Sequence, residues 1–97
     1  MGACFNEQIY DGKLTKQEVQ KAFNDLQDEE RSYYGSDPYN GSFSNCDCRV
    51  RFIDKIFNSV NEAYDYLEDS LDKRDVAVVK AKEGDKEVWV LGSWCPE

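Results

Sequence analysis

Hydrophobic and polar positions change period several times along the chain, and each change marks an element. In "CFNEQIYDG", Phe5 and Ile9 stand among polar residues in loose alternation, and the stretch stops at Asp11-Gly12, a common turn pair. A first strand is predicted there. The following "LTKQEV" carries a helix start with a physical mechanism: Thr15 can cap, Glu18 can reach back to the cap N–H, and Leu14 and Val19 can close as a hydrophobic staple. Val19, Ala22, Phe23 and Leu26 then recur at helical spacing, with Asp25, Asp28 and Glu29 on the other side. The spacing predicts a helix from about Lys16 to about Tyr33.

"YGSDPYNGSFSN" breaks that period with Gly, Ser, Asn and a proline that disfavours helix at Asp37, so it is a loop, whose tyrosines and Phe43 could cover the core, the commoner use, or form a contact surface. From Cys48 the pattern alternates through Val50 and Phe52 against Arg49 and Arg51, then slips phase near Ile53 and Asp54, which predicts a bulged strand to Phe57. On this reading Cys48 is the first core-facing residue of the strand and Cys46 belongs to the loop. Ser59 and Glu62 form a second capping box, and Val60, Ala63, Tyr64, Leu67 and Leu71 make one apolar stripe, with Lys73 and Arg74 near the helix end. "VAVVKAK" and "KEVWVLGSW" are β-rich segments joined at Gly84-Asp85 as a hairpin. The expected fold is one α+β domain over residues 1–97 in the order β-α-β-α-β-β, a mostly antiparallel sheet with both helices on one face.

Composition narrows what such a fold can do. The 97 residues suit one core, and 40% apolar and 13% aromatic content supply the area to fill it. Twenty Asp and Glu against 12 Lys and Arg give a formal net charge of −8. That balance disfavours direct contact with nucleic acid or anionic lipid, both of which are bound by displacing counterions with cations. No apolar run nears the roughly 18 residues of a membrane span, and "MGACFNEQIY" lacks the basic start and apolar core of a signal peptide. Asn6 stands where a myristoylation signal needs Ser or Thr. A soluble, intracellular protein is the expectation.

Chemistry is sparse. Cys4, Cys46, Cys48 and Cys95 could supply four thiolates to zinc, but the one-residue spacing of the central pair is short for paired ligands, and the chain has no histidine. Disulfides are disfavoured for a chain kept in a reducing compartment. The missing histidine also removes the commonest general base near neutral pH, and no Gly-rich phosphate loop is present. Neither catalysis nor a cofactor is expected. Glu62, Asp65, Asp69 and Asp72, at intervals of three and four, place like charges on one helix stripe opposite the apolar one. Asp65 and Asp69 are read as surface charge, with no acid–base role. Arg49, Arg51 and Lys55 are the clustered cations that a small anionic ligand such as a nucleotide would need.

"MGACFN" followed by "DGKLTKQEV", the loop "YNGSF", the helical "EAYDYL" and the closing "VWVLGSWC" together resemble a group of small proteins encoded by bacteriophages. The resemblance implies a place in the cytoplasm of an infected bacterium. It also implies a role like that of phage inhibitors of host defence, anti-CRISPR proteins among them, which bind a nuclease complex. It carries over no functional residues. The expected contacts with a basic defence protein are the acidic stripe, Glu62, Asp65, Asp69 and Asp72, and the aromatic residues Tyr33, Tyr34, Tyr39 and Phe43. The alternatives are a small-ligand binder that sequesters a nucleotide signal and a zinc-stabilised adaptor.

Overall fold

The computed structural model describes residues 2–35 and 41–96, apart from the side chain of Tyr34. Strand β1 (Ala3–Asp11) leads to helix α1 (Lys16–Tyr34), a 3-10 turn (Phe43–Asn45), strand β2 (Arg51–Phe57), helix α2 (Val60–Ser70) and strands β3 (Val76–Glu83) and β4 (Lys86–Pro96). The four strands form one sheet in the order β1-β4-β3-β2. β1 with β4 and β4 with β3 are antiparallel, whereas β2 runs parallel to β3, because α2 crosses over between them. The α+β class, the element order and the mostly antiparallel sheet are therefore as the sequence predicts.

Local chemistry sets the element boundaries. The Thr15 hydroxyl accepts from the Glu18 N–H at 3.1 Å while the Glu18 carboxylate accepts from the Thr15 N–H at 2.9 Å, closing the capping box of α1. Ser59 likewise accepts from the Glu62 N–H at 3.2 Å, and Glu62 accepts from Asn58 at 3.3 Å. Gly84, at φ 63°, takes the first place of the two-residue turn between Glu83 and Lys86. Between Phe52, opposite Val78, and Ile56, opposite Lys80, the pairing of β2 slips, which is the bulge expected from the phase break.

The helices do not share a face. Val76 and Val78 of β3 and Trp89, Leu91 and Cys95 of β4 pack with Val19 and Phe23 of α1. The alternate residues Ala77, Val79, Ala81, Val88 and Val90 pack with Ala63, Leu67 and Leu71 of α2. Since successive strand residues point to opposite sides, α1 and α2 cover opposite faces and the sheet is the middle of three layers. Both faces of β3 are thus buried, so its run "VAVV" is continuously apolar.

α2 also ends earlier than its pattern suggests. Leu71 caps it at φ −98°, and Asp72, Lys73 and Arg74 lie beyond, with Arg74 in the left-handed region at φ 77°. The Trp94 indole donates to the Glu68 carbonyl at 3.0 Å and fixes this end against β4.

A polar ladder on α1 organises the segment leading into β2. The Gln20 and Asn24 amides donate to the Cys48 carbonyl at 2.8 and 2.9 Å, and the Gln20 side-chain carbonyl accepts from the Val50 N–H at 2.9 Å. Gln27 is 1% exposed, and its amide reaches the carbonyls of Phe43, Cys46 and Asp47 at 3.0, 3.2 and 3.2 Å. Side chains thus take the place of a backbone ladder from Phe43 to Val50. The strand begins only at Arg51, and the expected alternation does not extend back to Cys48. Cys48 is exposed and Cys46 is buried, the reverse of the expectation.

Candidate interaction surface

The Ser59 cap, without the reciprocal Glu62 bond to the Ser59 N–H that a capping box needs, starts α2 with Ala63, Leu67 and Leu71 against the sheet, and that orientation turns Glu62, Asp65 and Asp69 outward. All three are exposed and fall on one stripe, as their spacing predicts. Asp72 is exposed but lies past the helix end, so the stripe holds three carboxylates and not four. Among the described residues ion pairs join Lys21 to Asp25, Arg31 to Asp28 and Lys80 to Glu87, and no carboxylate of α2 takes part in one. Glu62 has a structural duty as well, through the Asn58 N–H.

The acidic field extends beyond the helix. Burial pushes the Tyr64 hydroxyl above its usual range, and the nearby carboxylates Glu7 of β1 and Glu83 of β3 push it further. Phe5 packs on the α2 side of the sheet, so Glu7, two residues on, faces the same way. Sequence spacing could not reveal this extension, because it depends on β1 and β3 flanking the same strand. Tyr66 borders the carboxylate stripe, tilted against Phe57 at 5.2 Å between centroids, with the Lys55 ammonium 5.0 Å above its ring. The aromatic flank of the acidic surface therefore comes from Tyr64 and Tyr66 of α2 itself.

The aromatic residues expected to make contacts do not join this surface. Phe43 is only 4% exposed and stacks edge-on against Phe23 at 5.4 Å, which makes it a core residue of the α1 layer and removes it from the contact set. Tyr33, 82% exposed, stands on α1, across the sheet from α2. The side chain of Tyr34 and all of Tyr39 lie outside the described residues. Near Tyr33, burial raises the Glu30 carboxyl pKa, against the lowering effect of N–H groups from Phe43 and Ser44.

The four cysteines do not converge. Among the described residues no three Cys, His, Asp or Glu side chains are grouped to hold a metal ion. Cys48 is exposed, Cys4 donates to Asn6 Oδ1 at 3.2 Å and lies opposite Cys95 in the β1–β4 register, and the sulfurs of Cys46 and Cys95 lie 3.0 Å apart.

The cation cluster proves different from the one read along the chain. A cavity of about 250 Å³ opens at the β2 bulge, bordered by Lys16, Phe52, Lys80, Glu87 and Trp89. Its floor is the edge-to-face pair of Phe52 and Trp89, centroids 5.7 Å apart. Lys80 sits 4.5 Å over the Trp89 ring and Lys16 5.8 Å from the Phe52 centroid. Arg49 and Arg51 are exposed and do not border it, whereas Lys55 does, beside Asp54. Among the described residues no helix is long and apolar enough to cross a membrane. The chain matches no family model, no curated protein and no solved structure.

Proposed function

We propose that this chain is a phage-encoded inhibitor of a bacterial defence system, of the anti-CRISPR kind, acting by stoichiometric binding to a nuclease or effector complex. The observation that carries the reading is the exposed stripe of Glu62, Asp65 and Asp69 on α2, outside every ion pair among the described residues. Such a stripe, widened by Glu7 and Glu83 and bordered by Tyr66, complements a basic groove of the kind that holds nucleic acid. Binding there would exclude the nucleic acid without chemistry, in keeping with the absence of histidine from the sequence.

The test is charge reversal. Asp65→Lys together with Asp69→Lys should weaken capture of a purified defence complex about tenfold at low salt, mainly through a slower association rate. Binding that keeps its strength and its salt dependence in the double variant would remove the α2 surface from the interface.

The cavity at the β2 bulge supports a second reading, a small-ligand binder. Its paired rings and the Lys16, Lys55 and Lys80 ammonium groups, set against the carboxylates of Asp54 and Glu87, suit a planar ligand bearing an anionic group, such as a nucleotide. A nucleotide held there should raise the unfolding midpoint, by about 2.7 kcal/mol of added stability at a hundredfold excess over Kd. A flat response across the common nucleotides would set this reading aside.

A further inference from the structure

We propose that Cys46 and Cys95 are a disulfide site, at which two-electron oxidation by a small-molecule disulfide ties the segment between α1 and β2 to strand β4. The inference rests on the fold and is independent of the function proposed above.

The two sulfurs lie 3.0 Å apart although their residues come from distant parts of the chain. Each backbone is already fixed. The Cys46 N–H donates to the Phe43 carbonyl at 3.0 Å and its own carbonyl accepts from Gln27 at 3.2 Å, while Cys95 is held in the β1–β4 register. Closing the bond to about 2.05 Å needs the two sulfurs to approach by about 1 Å.

The surroundings also set the order of events. The Ser93 hydroxyl lies 3.1 Å from Cys46 Sγ and 2.6 Å from the Asp75 carbonyl, its nearer acceptor, and hydrogen bonding from Cys95 chiefly holds the Cys46 thiol below its usual range despite burial. Cys95 is shifted the opposite way, first by its hydrogen bond with Cys46 and then by burial. Cys46 keeps 8% of its surface open, whereas Cys95 has none. The thiolate of Cys46 therefore attacks one sulfur of the oxidant, whose S–S bond breaks and releases the first small thiolate. Cys95 then gives up its proton and attacks Cys46 Sγ, and the second small thiolate leaves. Two protein thiols are oxidised, one disulfide is reduced to two thiols, and the two protons end on the products.

Cys4 and Cys48 are the competing partners. Cys4 is opposite Cys95 and close enough to act on it, with Asn6 hydrogen-bonding to both, and Cys48 is exposed with its carbonyl clamped by Gln20 and Asn24.

The full chain is incubated with oxidised glutathione, remaining thiols are alkylated, and peptides are mapped without reduction. The expected dominant cross-link joins Cys46 to Cys95, and the oxidised protein melts about 5 °C or more above the reduced one, a gain that a reductant reverses. Cys95→Ser, which cannot resolve the intermediate, should retain glutathione on Cys46. A dominant Cys4–Cys95 or Cys46–Cys48 link, or glutathione on Cys48 with Cys46 and Cys95 recovered as free thiols, overturns the proposal. The wild-type map gives that answer even where the variant does not fold.

Discussion

Replacing Gln27 by leucine should lower the melting temperature by about 10–20 °C. Gln27 is buried, and its amide is the donor shared by the carbonyls of Phe43, Cys46 and Asp47. Leucine fills a similar volume but takes that donor from the Cys46 and Asp47 carbonyls, the Phe43 carbonyl keeping the Cys46 N–H, at about 1–3 kcal/mol for each group that water cannot reach. Part of that cost is offset by the apolar burial that leucine gains, so a net loss of about 2–4 kcal/mol follows. In a domain of this size each kcal/mol moves the midpoint by about 4–8 °C. Gln27→Glu should be worse, since a carboxylate has no N–H to give and would face three carbonyl oxygens. Hydrogen exchange would place the damage: amides between residues 43 and 50 should exchange faster than those of β3. A Gln27→Leu chain as stable as the wild type would show that the segment holds itself.

Gly12→Ala carries the second large effect. Asp11-Gly12 looks like a turn pair chosen for a left-handed glycine, but Gly12 is not among the glycines at positive φ, which are Gly35, Gly41 and Gly84 among the described residues. Its requirement is space. A Cβ there would overlap the backbone carbonyl of Glu87, with the carbonyl carbon 2.7 Å away. Glu87 belongs to β4, paired with Lys82, so the obstacle is strand backbone and cannot rotate aside. The expected cost is about 3 kcal/mol. Gly35→Ala separates the two causes, because its Cβ meets nothing within 4 Å and only the backbone is strained: φ 76° with ψ −146° is a conformation essentially confined to glycine, at about 1–3 kcal/mol for another residue. Urea denaturation of both variants should rank Gly12→Ala as the more damaging, and the reverse order would mean that the β1–α1 turn moves away from β4 at little cost.

Gly12 shows what a sequence does and does not disclose. Signals closed within a few residues were legible: the Thr15–Glu18 box, the Ser59 cap, the Gly84 turn and the phase slip of β2 all lie where the pattern puts them. Features that depend on a distant partner were not. Helices on opposite faces follow from β3 being covered on both sides, for which the unbroken "VAVV" run was the available sign. The exchange of Cys46 and Cys48 follows from Gln20, Asn24 and Gln27 reaching across from α1, and an amide on a helix face gives no hint of that from its spacing. Of the proposed contacts, the exposed stripe of Glu62, Asp65 and Asp69 was legible from periodicity alone, while Phe43, for which the loop left both core and surface open, is core because it packs on Phe23, a helix residue far away in sequence.

The β1–β4 ladder, which sets Ala3 opposite Pro96, also governs the order in which the fold can assemble. A ribosome delivers β1 well before β4, its partner strand among the described residues, and every residue between them must emerge before a single bond of that ladder can form. Closing so long a loop before the contacts repay its entropy is the mark of high contact order and slow folding. Meanwhile β2, α2, β3 and β4 are near neighbours in the chain and can form a three-stranded intermediate whose β4 edge stays open until β1 docks. That open edge is where the nascent chain is exposed to pairing with another copy of itself.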